Sequence, residues 1–206
     1  MSTRCQKKRR LLPLLLVLAT AVSAAGLISC TPDKGGPPDA AGEYRTKTGK
    51  TIIVSETHPI GVSLSNIEIR TAGFEHNFHE VYKDRDPVSD VLMADLDGNG
   101  FDEIYIITRS AGSGSYGTVL GFASNRDKSM SMISFPETQT GDENFEGYAG
   151  HDTFRIEGRK LVRTFPIYRK DDRNGNPTGG RRKIVYGLVP GEAMWELRIE
   201  QSEISP

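Results

Sequence analysis

The chain has 206 residues, with 26 Lys or Arg against 27 Asp or Glu, and its formal net charge is −1. Residues 1–29 hold five of the basic side chains and none of the acidic ones, so the rest of the chain keeps 21 basic and 27 acidic side chains, a net charge of −6. This balance argues against nucleic acid as a partner and against electrostatic binding to membranes, and it favours basic partners.

The N-terminal segment is typical of a secretory signal. A basic stretch, residues 4–10, precedes the apolar run Leu11–Leu18, which is too short to predict a membrane-spanning helix. The segment ends in Leu27-Ile28-Ser29-Cys30, which resembles the lipobox of bacterial lipoproteins. The resemblance implies cleavage before Cys30 and attachment of diacylglycerol and palmitate groups to it, which anchor the chain in a membrane. An ordinary signal peptide with an incidental cysteine is the alternative.

The resemblance to lipoprotein signals also bears on location. Thr31 stands where Asp would direct retention in the inner membrane, so we expect the outer membrane, with the domain facing the periplasm and the cell exterior left open. The only other cysteine, Cys5, precedes the cleavage site. The remaining 177 residues therefore suffice for one domain, and they lack the thiols needed for disulfides, cysteine catalysis or thiolate metal sites.

A Pro/Gly-rich linker separates the lipid site from the domain. We predict a signal peptide at 1–29, the lipidated Cys and linker at 30–50, and one β-rich domain at 51–206. From Thr51 onward short β-branched and aromatic runs alternate with turn residues, which predicts an all-β fold, a largely antiparallel β-sandwich or barrel of about nine to eleven strands. The break in alternation at Ser65-Asn66 indicates a bulge.

Eleven runs have the composition of strands. They are Thr51–Ser55, Val62–Arg70, Phe78–Tyr82, Val88–Ala94, Glu103–Thr108, Gly117–Ala123, Met130–Phe135, Thr153–Ile156, Leu161–Phe165, Lys183–Val189 and Trp195–Ile199. Val88–Ala94 and Glu103–Thr108 are predicted to pair as a hairpin. Pro136–Asp152 and Lys170–Arg182 are predicted to be long loops, which are functional or disordered on rigid scaffolds.

An Asp/Gly-rich turn follows the strand Val88–Ala94. Its oxygen-bearing residues alternate, and Gly100 suits the sharp bend of a loop that binds a hard cation. The turn resembles the short calcium turns of FG-GAP-type blades. The ligands of a structural Ca²⁺, the one cofactor considered, would be Asp95, Asp97, Asn99, the Phe101 carbonyl and Glu103. The alternative is a metal-free turn whose Asp side chains cap backbone N–H groups.

A Ser/Gly-rich loop follows the strand Glu103–Thr108. Its residues Ser113-Gly114-Ser115-Tyr116 match the Ser-Gly-x-Tyr motif, so the chain resembles the periplasmic inhibitors of invertebrate-type lysozyme. The resemblance implies that Ser113 and Tyr116 enter the substrate cleft of a lysozyme and form hydrogen bonds around its catalytic carboxylates. Gly112 and Gly114 would permit the shape of the loop. The alternative is a hairpin loop whose Tyr packs on its own sheet.

The class of lysozyme stays open at this point. Ser110–Tyr116 partly matches the longer Ser/Gly loop of inhibitors directed at the chicken-type enzyme, whereas Tyr44–Lys50 only distantly matches their second motif. No catalytic motif is present, so we predict no enzyme and no catalytic residues. The second function considered is a calcium-stabilised binding module for surface glycans or proteins, and the third is an envelope hydrolase, since a β scaffold can bring together a pair of carboxylates that the sequence does not reveal. A homodimer is also left open.

Overall fold

The computed structural model describes residues 41–139, 141–173 and 175–206, and the predicted signal peptide and Cys30 lie outside these ranges. The described chain is almost entirely β-structure, with one 3₁₀ turn at Glu143–Phe145. None of its helical residues form a helix long and apolar enough to cross a membrane. The strands are β1 (Gly42–Arg45), β2 (Thr51–Thr57), β3 (Ser65–Ala72), β4 (His79–Arg85), β5 (Val88–Ala94), β6 (Glu103–Arg109), β7 (Gly117–Ser124), β8 (Met130–Ser134), β9 (Thr153–Glu157), β10 (Lys160–Pro166), β11 (Arg181–Pro190) and β12 (Trp195–Ser205).

The strands form two sheets. The first has the order β1-β2-β3-β4 and is antiparallel throughout. The second has the order β5-β6-β7-β8-β12-β11-β10-β9, and its edge strands β5 and β9 approach each other. This eight-stranded sheet therefore curls into a nearly closed barrel. Its pairs are antiparallel except for the parallel contact between β8 and β12.

Strand β6 is shared by two hydrophobic cores. Its residues Ile104 and Ile106 pack with the buried residues of the four-stranded sheet, whereas Tyr105 and Ile107 face the interior of the barrel. All four side chains are almost inaccessible to solvent. Successive strand residues point to opposite faces, and burial on both faces explains the apolar run Ile104–Ile107 in this strand.

The predicted all-β class is confirmed, and the predicted runs coincide with strands apart from shifts at their ends. The bulge expected at Ser65-Asn66 is present as a register shift between Ser65 and Ile67. Val62 was predicted to lie in this strand, but β3 begins only at Ser65 and Val62 is 80% exposed. The hairpin of β5 and β6 is also confirmed.

Two differences concern the ends of the domain. Strand β1 lies in the range predicted as linker, because its one large apolar residue, Tyr44, gives too short an alternation to detect. Strand β12 continues beyond Ile199 to Ser205, because the backbone of that polar stretch pairs with the start of β11. Twelve strands in the described ranges thus exceed the predicted count.

The four-stranded sheet ends in a charged edge. Strand β4 is its last strand and is solvent-exposed along nearly its whole length. It carries Glu80, Lys83, Asp84 and Arg85. Charged side chains on an edge strand disfavour pairing with a strand of another molecule.

Candidate functional site

The Ser/Gly loop between β6 and β7 is a hydrogen-bonded turn. The Ser110 backbone N–H donates to the Tyr116 carbonyl over 2.9 Å, and the Tyr116 N–H donates to the Ser110 hydroxyl over 2.8 Å. Inside this frame the Ser115 N–H donates to the Gly112 carbonyl over 2.9 Å. These three bonds fix the backbone of the loop at both its base and its tip.

The structure places both residues of the Ser-Gly-x-Tyr motif at the surface. Ser113 is exposed, and Tyr116 is 50% exposed. Within the described chain neither side-chain hydroxyl makes a hydrogen bond. The rings of Tyr116 and Tyr148 meet edge to face, with 5.7 Å between centroids. The ring is therefore supported from one side while its hydroxyl stays available to another molecule.

The two glycines named from the sequence differ in their importance to the loop. A Cβ at Gly114 would lie 2.4 Å from Cε2 of Tyr116, so the ring needs a glycine beneath it. A Cβ at Gly112 would have no atom within 4 Å, and the backbone there is not left-handed. The left-handed residue is Ser115, with φ of 47°. The expectation that Gly112 permits the loop shape is therefore not supported by the loop's geometry.

A neighbouring segment supports the loop from behind. The His151 N–H donates to the carbonyls of Gly114 (2.8 Å) and Ser115 (3.2 Å). At Gly150 a Cβ would lie 1.8 Å from the Gly114 oxygen, so only glycine allows this close approach. This segment belongs to the predicted long loop Pro136–Asp152, which thus has a structural partner in the Ser/Gly loop.

Asp152 connects the loop to the interior of the barrel. Its carboxylate is fully buried and accepts hydrogen bonds from the Gly117 N–H (2.8 Å) and the Tyr148 hydroxyl (2.7 Å). The second carboxylate oxygen accepts from Nε of Arg163 over 2.6 Å, and the Arg163 side chain is 1% exposed. Charged groups survive such burial only when they are paired and hydrogen-bonded.

Aromatic rings surround the Arg163 guanidinium. Five ring centroids lie within 6.0 Å of its central carbon, an arrangement that stabilises a cation further. The rings belong to Phe135, Phe145, Tyr148, Phe154 and Phe165. The pair of Asp152 and Arg163 was not predicted from the sequence, where its only local signal is a lone Arg within the apolar run of β10.

A concavity of about 990 Å³ opens beside Tyr116. Its lining includes Tyr116 and residues of the segment that follows β8, among them Phe135 and Tyr148. Four acidic residues line it, namely Glu137, Asp142, Glu143 and Glu146. The surface next to the exposed Tyr is therefore acidic and suited to basic groups.

The Asp/Gly-rich turn between β5 and β6 brings three of its predicted ligands together. Asp95, Asp97 and Glu103 each direct one carboxylate oxygen to a common region, and these oxygens lie within 4.8 Å of one another. Asn99 is oriented differently, because its Oδ1 accepts from the Phe101 N–H over 2.8 Å and its Nδ2 donates to Asp97 over 2.7 Å. The Asp caps of the metal-free alternative are also present, because the Asn99 N–H donates to Asp97 over 2.9 Å and the Gly100 N–H donates to Asp95 over 3.0 Å.

Burial and neighbouring charges perturb two carboxyl groups of this turn. Burial raises the pKa of Glu103 to about 8, although the Leu96 N–H donates to its Oε2. Burial acts in the same direction on Asp95, but the Lys47 ammonium and the Gly100 N–H outweigh it and hold the pKa of Asp95 below its ordinary value. Lys47 lies in the turn between β1 and β2 and was not predicted from the sequence to contact this site.

Comparison with family models, with curated proteins and with solved structures finds no match to this chain.

Proposed function

We propose that the chain is a lipid-anchored, non-enzymatic inhibitor that binds and occludes the active-site cleft of a lysozyme. The observation that carries this proposal is the Ser/Gly loop, whose backbone is fixed by hydrogen bonds. It exposes Ser113 and Tyr116, and no group in the described ranges forms a hydrogen bond with their hydroxyls. Gly114 lies between them and makes room for the Tyr ring. The short motif shared with inhibitors of invertebrate-type lysozyme agrees with this arrangement.

The chemistry of a lysozyme cleft suits such a loop. The cleft holds one protonated and one ionised carboxyl group and binds sugar hydroxyls. The Ser113 hydroxyl would donate to the ionised carboxylate as a sugar hydroxyl does, and the Tyr116 ring would bury a rigid surface. Because the loop is already fixed in the free protein, little conformational entropy would be lost on binding. Inhibition by occlusion needs no catalytic residue in this chain.

Charge favours a basic enzyme as the target. Residues 30–206 carry a net charge of −6, and the concavity beside Tyr116 is lined by carboxylates. Complementary charge speeds association and selects among partners. We prefer an invertebrate-type lysozyme as the target, and the chicken-type enzyme is the second choice.

Anchoring through Cys30 would place the inhibitor where it protects the cell wall. Acyl chains on Cys30 would hold the domain at the outer membrane, facing the periplasm. A lysozyme that crosses the outer membrane would then meet the inhibitor before it reaches peptidoglycan.

The test is a peptidoglycan lysis assay with the chain from Thr31 onward, which keeps every described strand and both cores. The domain in excess should protect peptidoglycan from an invertebrate-type lysozyme. Tyr116→Ala should abolish most of this protection and Ser113→Ala should weaken it, because each variant removes a group expected in the cleft. Ile204→Ala, which changes another exposed apolar residue, is the control and should inhibit like the wild type.

A calcium-stabilised module that binds surface glycans or proteins is the second candidate. The concavity favours it, because aromatic rings beside carboxylates, here Tyr116 and Tyr148 with Glu137, are a lining that sugars bind. A domain that leaves both classes of lysozyme uninhibited in excess but binds defined glycans on an array would favour this function and exclude the inhibitor.

A further inference from the structure

The loop between β2 and β3, residues 58–64, exposes aliphatic side chains, and we call it the apolar loop. Ile60 is 73% exposed and Val62 is 80% exposed, more than any other large apolar side chain in the described ranges. The loop and its flanks, Thr57–Ile67, contain no Asp, Glu, Lys or Arg, although 26% of the chain is charged. Protruding aliphatic residues without nearby charge in the sequence mark a surface that binds an apolar partner.

The apolar loop has a defined shape. Nδ1 of His58 lies 3.3 Å from the Leu64 carbonyl oxygen, a hydrogen bond that closes the base of the loop. Gly61, at the tip, has a left-handed backbone with φ of 72°. Ile60 and Val62 lie on either side of it, and neither side chain belongs to a hydrophobic core of the described chain. The loop therefore holds both side chains out in the free protein.

The chain enters the domain at the same end of the four-stranded sheet. Strand β1 is antiparallel to β2, and its first residue, Gly42, pairs with Val54, three residues before β2 ends at Thr57. At the rise of a β-strand, about 10 Å along β2 separates the start of β1 from the apolar loop. Eleven residues lie between Cys30 and Gly42, and even a fully extended chain of this length spans only about 40 Å. A lipid on Cys30 would therefore keep the apolar loop close to a bilayer.

We propose that the apolar loop inserts Ile60 and Val62 into the interfacial region of the lipid bilayer, a proposal that rests on the lipid anchor at Cys30 but not on lysozyme inhibition. Two aliphatic side chains bind a bilayer weakly by themselves. A short tether, however, raises the effective concentration of bilayer at the loop to about the millimolar range. Burial of apolar surface drives the contact, because a loop without Lys or Arg gains nothing from anionic lipids.

A lysozyme is the competing occupant of the apolar loop. The Ser65 hydroxyl, next to this loop, donates to the Asp86 carbonyl over 3.4 Å, and the Arg109 N–H, next to the Ser/Gly loop, donates to the Pro87 carbonyl over 2.9 Å. Both loops therefore meet at the short connection between β4 and β5. The uncharged tip and the entry of the chain at this end favour the bilayer.

The experiment uses the chain from Cys30 onward, whose single thiol is coupled to a maleimide lipid in phosphatidylcholine vesicles. The reporter is Ile60→Trp in a Trp195→Phe background, and acyl chains that carry bromine quench a Trp that reaches them. We expect bromine to lower its fluorescence by about half or more, equally at low and high salt. His76→Trp is the matched control: it places an exposed Trp in the turn at the opposite end of the same sheet, and its fluorescence should not change.

A second pair of variants tests the aliphatic contact itself. Val62→Asp, added to the Ile60→Trp reporter, should abolish quenching, because a carboxylate at the tip is costly to remove from water. Met194→Asp adds the same charge at another exposed apolar residue, in the turn between β11 and β12, and should leave quenching unchanged. Both variants change exposed side chains and should fold. Equal quenching of Ile60→Trp and His76→Trp, or quenching of neither, would overturn the proposal.

Two separate assays distinguish failure of this proposal from failure of the proposed function. In a lysis assay without vesicles, Val62→Asp should inhibit lysozyme like the wild type, and a loss seen in Val62→Asp but not in Met194→Asp would overturn the proposal in favour of lysozyme as the occupant. A domain that inserts the loop but inhibits no lysozyme would support the proposal and reject the inhibitor. Because coupling supplies the lipid, incorporation of labelled palmitate at Cys30 in cells tests the anchor independently.

Discussion

Asp152 is the residue on which the Ser/Gly loop and the barrel interior both depend. It accepts hydrogen bonds from Gly117 at the end of the loop, from Tyr148 and from Arg163. Tyr148 also contacts the Tyr116 ring. The Asp152 carboxylate therefore binds both the backbone at the end of the proposed inhibitory loop, through Gly117, and the ring that supports Tyr116.

Replacing Asp152 should therefore cost both stability and inhibition. Asp152→Asn leaves the buried Arg163 cation without its counter-charge, and we expect the free energy of unfolding to fall by about 3–5 kcal/mol. Urea denaturation measures this change. Asp171→Asn, at an exposed position, is the control and should stay within about 0.5 kcal/mol of the wild type.

A double variant separates the ion pair from the loop contact. Asp152→Asn combined with Arg163→Met removes the unpaired charge, so part of the lost stability should return. If Asp152→Asn alone is as stable as the wild type, the pair does not hold the barrel interior together.

The features of the candidate sites that could be predicted from the sequence are local along the chain. The motif Ser113–Tyr116 and the alternating acids from Asp95 onward are visible because their members are close in sequence. Asp152 and Arg163 are distant from that loop in sequence, and a charged residue on a strand normally indicates a solvent face. Lys47 reaches Asp95 from another hairpin, a contact that only the packing of the two sheets reveals.

At the scale of the element, the Ser/Gly loop offers its own matched pair of variants. Gly114→Ala brings a methyl group against the Tyr116 ring and should displace it, whereas Gly112→Ala points into open space. We expect Gly114→Ala to weaken lysozyme inhibition about tenfold, about 1.4 kcal/mol of binding free energy, with little change in stability. Inhibition constants measure this difference, and Gly112→Ala should match the wild type. Equal inhibition by both variants would contradict a role for the ring's position.

Strands were predicted well because their signal is periodic, and poorly where it is short or polar. β5 has the predicted bounds, Val88–Ala94. β1 was missed because it has a single large apolar residue, Tyr44, and the second half of β12 was missed because backbone pairing with β11 holds a largely polar stretch in place. The pairing order of the sheets, including the parallel contact of β8 with β12, has no local signature in the sequence.

At the scale of the whole molecule, the shared strand β6 should make the two sheets unfold together. Ile69→Ala removes a 1% exposed side chain from the core of the four-stranded sheet, and we expect a loss of about 2–5 kcal/mol. The single Trp, Trp195, packs against the other core. When Ile69→Ala is unfolded with denaturant, Trp195 fluorescence and far-ultraviolet circular dichroism should nevertheless give the same midpoint, and that midpoint should be lower than in the wild type. A two-state transition requires this agreement between the two probes.

The matched control for cooperativity is Val81→Ala, at a 46% exposed position of the same sheet, which should leave the midpoint nearly unchanged. A Trp195 transition that stays at the wild-type midpoint in Ile69→Ala would mean that the barrel unfolds independently.

The charged edge strand β4 has a consequence for a protein expected to be crowded on a surface. Lipid anchoring confines molecules to two dimensions and raises their rate of encounter, a condition under which exposed strand edges template fibrils. With both signs of charge on β4, neighbouring copies gain little from extending one another's sheets. Dense display at a membrane is therefore compatible with a fold that is more than half β-strand.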